Sequence, residues 1–314
     1  MTLLQKSLIL FGIVVAILAL ASAIGTWLAR KTKSESGVAT VENLNARIKA
    51  WWGMIAIFAA CYALGFTATV LLFALTSFYT LREFISLTPT QRADHAPLVL
   101  AFYVLLPLQY WLVWSDWYGL FAILIPVYGF LLLPSLSSLQ GDPVNFLLRV
   151  SRIQWAVMLT VYCISHAPAL ILLQIPGYEG QGFLLLFFLT AVVQFSDVMQ
   201  YVFGKLMGKT KLAPVISPSK TVEGLVGGGL SAMALGAALF WITPFSPLAA
   251  AAMAGLIVIA GFLGGLSLSA VKRSMGAKDW GTMVQGHGGV LDRMDSVSFA
   301  APLFFHLTRF FYTV

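Results

Sequence analysis

Runs of apolar residues, each about as long as a membrane-crossing helix, recur along this chain and leave room for little else. A bilayer core takes about 20 residues of helix. In hydrocarbon every backbone polar group must be bonded inside the protein, so only helices and closed barrels cross it. Residues 3–28, 97–114, 117–136, 153–175, 183–203, 222–243, 247–268 and 297–314 each read as one helical crossing. Composition agrees, with 59% hydrophobic and 10% charged residues and a mean hydropathy of +0.88, where a soluble domain has about 25% charged residues. The expected fold class is an all-α polytopic membrane protein. The net charge of +7 belongs to loops between spans, so a nucleic-acid partner is not expected. Cys61 and Cys163 lie in apolar runs and read as buried hydrophobes, without disulfide or zinc spacing. The first run has no small-x-small cleavage site and reads as a retained span.

One run is ambiguous. Residues 51–81 form a largely apolar, uncharged run of 31 residues, long for one crossing and short for two. Charge decides. If the run folds back near Leu64-Gly65, segments 30–49, 82–95, 137–152, 204–224 and 270–296 share one side and hold 17 of the 19 Lys and Arg residues. A single crossing lowers that to 12 against 5. The positive-inside rule therefore predicts about ten transmembrane helices, the second and third short and forming a hairpin, with the basic segments cytoplasmic. Trp111, Trp114, Trp117 and Tyr118 form an interfacial belt on the other side.

Polar residues within this apolar frame need a reason. His166 lies in a span beside Pro168; such a histidine is a functional candidate, or it satisfies a carbonyl that the proline leaves free. In 183–203, Gln194, Asp197, Gln200 and Tyr201 fall near one helix face, and a lone Asp in hydrocarbon needs a cavity, a cation or a metal. Gly204-x3-Gly208-Lys209-Thr210 imitates a P-loop but is one residue short, with no strand before it. The run Ser217-Pro218-Ser219-Lys220-Thr221-x-Glu223-Gly224 sets hydroxyls and a lysine ahead of a helix start, where N–H donors favour a phosphate. Glycines at 227–229, 261, 264 and 265 read as close-packing positions. Residues 269–296 concentrate Lys272, Arg273, Lys278, Asp279, His287, Asp292, Arg293 and Asp295, with Gly286, Gly288 and Gly289 among them. Cations neutralise phosphates, carboxylates hold a divalent metal, and glycines admit backbone N–H groups to an anion. On a helix, Asp292 and Asp295 share a face. This pattern indicates phosphate chemistry at a membrane surface.

Ser269-x-Val271-Lys272-Arg273-x4-Lys278-Asp279, followed by His287-Gly288-Gly289-Val290-x-Asp292-Arg293-x-Asp295, resembles the signature of the phosphatidate cytidylyltransferases. The block from Asp197 to Gly229 is also similar. The resemblance is strong over 190–300 and weaker before. It divides the chain into an extra N-terminal helix, 1–29, and a cytidylyltransferase-like membrane domain, 30–314.

The resemblance implies transfer of a cytidylyl group from CTP to phosphatidic acid, giving CDP-diacylglycerol and pyrophosphate in phospholipid biosynthesis. The implied catalytic residues are Asp292, Lys272, Arg273 and Asp279. Ser217, Lys220, Thr221, Lys278, His287, Gly288, Gly289 and Arg293 would bind substrate, and Asp292, Asp295 and Asp197 would hold Mg2+, with a second, monovalent cation as a further expectation. His287 and its glycines would shape an anion-binding turn, because an ionised phosphate nucleophile needs no general base. The implied setting is a homodimer in the bacterial inner membrane with a cytoplasmic active site.

The chain departs from the family pattern in three places. Gln285 stands where Pro or Gly is usual, and Val198-Met199-Gln200 where small residues are usual. A Gly-Asp-Leu-x-Glu-Ser run usually precedes Lys-Arg; here Gly265 replaces its Asp, an expected metal ligand, and Leu268 its Glu. A divergent enzyme with an altered substrate, or a non-catalytic protein binding or moving an anionic lipid, remain the alternatives.

Overall fold

The computed structural model describes residues 2–32, 34–283 and 288–313, and is built from helices with one small hairpin of strands. In order these are α1 (Leu3–Lys31), α2 (Glu35–Leu64), α3 (Phe66–Leu87), α4 (Arg92–Trp114), α5 (Tyr118–Ser138), α6 (Phe146–Leu172), α7 (Gly182–Leu206), β1 (Lys211–Ala213), β2 (Ser217–Thr221), α8 (Val222–Ala238), α9 (Pro247–Ser274) and α10 (Leu291–Tyr312). Among the described residues, eight helices, α1 to α7 and α9, are long and apolar enough to cross a membrane, α2 through its stretch Leu44–Leu64. The protein is a polytopic α-helical membrane protein.

The 51–81 run does fold back at Gly65, whose φ of +87° suits glycine. The two helices of this hairpin are not half-spans. α2 has 30 residues and α3 has 22, because each continues into polar sequence that the apolar run does not include. α2 starts at a Ser34 cap, whose hydroxyl accepts the Gly37 N–H, and its first turns are rich in helix formers such as Ala, Glu and Leu.

Side-chain links sort the connections into two ends. At one end Glu83 meets Val290, Asp94 pairs with Arg149, and Arg273 reaches Ile216. At the other, Lys6 bonds Gln181, Tyr178 bonds the Ile242 carbonyl, and Trp114 bonds Thr67. The segments 82–95, 137–152, 204–224 and 270–296 therefore meet at one end of the bundle. Arg149 and Asp94, both buried, join at 2.9 Å, and Asp142 adds a second carboxylate at 2.9 Å. Its partners lie 55 and 7 residues apart and carry no local sequence signal.

Prolines shape the middle helices. Wide π-type turns precede or contain Pro107, Pro126 and Pro168, as expected where a proline removes a ladder N–H. His166 Nδ1 lies 2.8 Å from the Tyr162 carbonyl one turn earlier, and its Nε2 lies 3.2 Å from His306 Nε2. The first contact is to the backbone, at Tyr162 rather than at Ile164, the carbonyl one turn before Pro168. Cys61 and Cys163 are both free.

α7, α8, α9 and α10 pack as neighbours in turn and form the half of the bundle that carries the charged motifs. Small residues set their spacing. A Cβ on Gly228 would lie 2.7 Å from the Gln200 backbone N, and one on Gly264 would lie 2.6 Å from the Asp295 carbonyl. The glycines read as packing positions in the sequence do pack.

Candidate active site

The centre of the charged end is Asp292, in the first turn of α10. Its Oδ1 accepts Lys272 Nζ at 2.6 Å, and its Oδ2 accepts the backbone N–H of Trp280 at 2.8 Å and of Gly289 at 2.9 Å. Lys272 and Asp292 are both buried. One carboxylate thus joins the last turn of α9, the loop after it and the start of α10. Gly288 permits this with a φ of +81°, and a Cβ there would meet Asp292 Oδ2 at 2.8 Å.

Two further contacts fix the same loop. Glu83 of α3 accepts the N–H groups of Val290 and Leu291 at 2.9 and 2.8 Å, so its charge caps the start of α10. Beside it Phe84 stacks on the buried Trp280, with ring centroids 4.9 Å apart. Neither Glu83 nor Trp280 was singled out in the sequence. Glu83 lies 207 residues from Val290, and a single Glu at a helix end carries no local signal.

One turn further along α10 stands a second cluster. Asp295 Oδ1 accepts the Ser296 N–H at 2.7 Å, and Asp197 Oδ2 accepts the Ser296 hydroxyl at 3.3 Å. This leaves Asp197 Oδ1 and Asp295 Oδ2 without a hydrogen bond among the described residues. Lys220 Nζ lies 4.5 Å from the Phe262 ring centroid. Burial holds the Lys220 ammonium below the usual lysine pKa, while Asp295 and Asp197 act against that shift. Arg293 acts electrostatically on both carboxylates.

The remaining predicted residues fall around these clusters. Arg273, Lys278 and Asp279 are exposed on the surface of the charged end, with Arg273 bonded to the carbonyls of Ile216 and Ala277. Ser217 opens β2 and is half-buried. Thr221 is buried, and its hydroxyl accepts the Gly224 N–H at 3.0 Å, so it starts α8. The imitation P-loop is occupied from within: the N–H groups of Lys209 and Thr210 go to the Glu223 carboxylate, which agrees with rejecting a nucleotide-hydrolase reading. His287 and Gly286 lie outside the described residues.

The donor set can be tested against a metal ion. Among the described residues no three His, Cys, Asp or Glu side chains stand close enough to cage one. Mg2+ needs no such cage, since it binds through one or two carboxylates together with substrate phosphates and water. Asp197 and Asp295, each with an uncommitted oxygen, fit that mode. Asp292 has both oxygens engaged by the protein.

This arrangement can bring two anions together, with lysines and arginines screening phosphates and a carboxylate pair for a divalent cation, at the edge of a lipid-facing bundle. Comparison with known proteins agrees. The chain is 38% identical over 308 residues to the uncharacterized protein YnbB of Escherichia coli K12, covering 98% of this chain and 99% of that protein. It is 37% identical over 182 residues to the phosphatidate cytidylyltransferase of Staphylococcus saprophyticus, 52% of this chain and 70% of that one. With the Staphylococcus aureus (strain COL) phosphatidate cytidylyltransferase it shares 41% over 127 residues, 40% of this chain and 48% of that protein. A family model matches residues 45–311, and with the charged end so assembled the chain belongs to the cytidylyltransferase family.

Proposed function

We propose that this protein transfers a cytidylyl group from CTP to phosphatidic acid, giving CDP-diacylglycerol and pyrophosphate, at the cytoplasmic face of a bacterial inner membrane. The observation that carries the reading is the meeting of the two motif blocks: Lys220, from the segment before α8, comes within reach of Gly265 on α9 and Asp295 on α10. A phosphate oxygen of the lipid attacks the α-phosphorus of CTP, and the bond to the β-phosphate oxygen breaks as pyrophosphate leaves. Arg273 and Lys278, both exposed, meet the incoming triphosphate, and Arg293 and Lys220 screen the phosphates where they approach Asp197 and Asp295. Ser217, on the rim, offers a hydroxyl to the same phosphates. Lys272 and Asp292 hold the loop and the start of α10 in place, and Gly288 and Gly289 keep that loop tight against them. Mg2+, when bound by Asp197 and Asp295, supplies charge neutralisation for the displacement. The lipid phosphate is already ionised at neutral pH, so no general base is required.

The test is pyrophosphate release from CTP by purified protein in detergent, with and without phosphatidic acid, across a magnesium titration. Lipid-dependent release matched by CDP-diacylglycerol supports the reading. A folded protein that releases none points to another lipid phosphate or nucleotide, or to a lipid-binding role. The glycine at 265, where the resemblance implies an acid, is the observation that keeps the second reading in view.

A further inference from the structure

Gly265 is surrounded by charge. A Cβ built there would lie 3.1 Å from Lys220 Nζ and 3.5 Å from Asp295 Oδ2. The Lys220 ammonium thus fills the volume that any side chain at 265 would enter, with the Phe262 ring, one turn earlier on α9, beneath it at 4.5 Å. Among the described residues it forms no ion pair closer than 4.0 Å, so it is placed by packing and by the general field of the carboxylates rather than by one tight bond. Asp197 and Asp295 meet at Ser296, which gives its hydroxyl to the first and its N–H to the second, and both attract the Lys220 ammonium.

We propose that Lys220 is the built-in counter-cation of the Asp197–Asp295 pair, admitted by Gly265, and that residue 265 thereby sets how strongly this site draws a divalent cation. The charge balance supports this. Lys220 and Arg293 attract both carboxylates, and Lys272, bonded to Asp292, adds its charge at Asp295. A pair already neutralised in this way attracts a free divalent ion weakly; the ion gains its remaining ligands and negative charge only when phosphates arrive. A larger residue at 265 would push the ammonium off the pair and reverse the order, so the ion would bind first. The inference deepens the proposed function by assigning the metal-binding behaviour of the same pair, yet its test needs neither nucleotide nor lipid.

The experiment is Mn2+ binding to the full-length protein in detergent, read from the loss of the free-ion paramagnetic resonance signal. Wild type should bind weakly. Lys220→Met should bind about tenfold more tightly or better, Lys220→Arg should stay near wild type, and Lys220→Met combined with Asp197→Asn should return to weak binding, which locates the ion on the pair. Gly265→Val, at a helical position, should tighten binding in the same direction with Lys220 still present. Equal Mn2+ affinity in wild type and a folded Lys220→Met protein overturns the proposal. If that variant does not fold, unchanged affinity in Gly265→Val overturns it instead. Cytidylyl transfer is assayed separately. The predicted binding pattern without turnover retains this inference and removes the reaction, and turnover without the pattern does the reverse.

Discussion

At Asp292 a single carboxylate holds three pieces of chain together. Its charge is matched by Lys272, and both are buried. Breaking a buried pair from one side leaves an uncompensated charge, at a typical cost of about 3–5 kcal/mol, whereas removing both partners costs far less. Asp292→Asn should therefore lower the unfolding temperature strongly, although the amide oxygen can still accept the Trp280 and Gly289 N–H groups. Adding Lys272→Met should recover much of that stability. A double-mutant cycle on thermal unfolding measures the coupling; additive losses would show that the two residues act independently. Lipid-dependent CTP turnover should fall in both proteins, because the loop that carries Lys278 and Asp279 is anchored through this carboxylate. A double variant that regained stability and full turnover would remove Asp292 from the active machinery.

Helices and their ends carry the next set of consequences. Glu83 accepts two of the N–H groups at the start of α10, and loss of such a cap costs about 0.5–2 kcal/mol. Glu83→Ala should lower thermal stability by that order and reduce turnover, while Glu83→Gln, which keeps an acceptor, should restore most of the stability. Equal stability in all three proteins would show that α10 starts unaided. At the α7–α8 contact, Gly228→Ala would place a methyl 2.7 Å from the Gln200 N and cost about 1–3 kcal/mol by overpacking, read as a lower unfolding temperature. Much at this scale was legible in the sequence. The break at Gly65 followed from the distribution of lysine and arginine, and the close packing at the glycines from their small size within apolar spans. The shared face of Asp292 and Asp295 followed from their i,i+3 spacing on a helix. The caps and anchors were not legible. Glu83 with Val290 and Asp94 with Arg149 are joined across separations of 207 and 55 residues, and a charged residue at a helix end looks the same whether it meets water or a buried partner. Nor could the helical extension of α2 be seen, since its polar first turns hide in a segment that reads as a loop.

For the whole molecule the decisive quantity is which end faces the cytoplasm. The bundle separates its connections cleanly: Glu83, Arg149, Arg273 and Lys220 lie toward one end, and Lys6, Gln181, Thr67 and Trp114 toward the other. The first end holds the basic segments, and lysine and arginine are retained on the cytoplasmic side during insertion. In the proposed reaction CTP is water-soluble and highly charged and phosphatidic acid stays in the bilayer, so that reaction requires a site open to both at the interface where CTP is present. Labelling of single cysteines tests this directly. Cys61 and Cys163 are first replaced by Ser; then Glu179→Cys marks the connection before α7 and Met283→Cys marks the loop before α10. A membrane-impermeant maleimide added to intact cells should label the cysteine at 179 and reach that at 283 only after permeabilisation. The opposite pattern would turn the charged end away from the cytoplasmic nucleotide pool, and the bundle could then keep its helices and its carboxylate pair but not the proposed reaction.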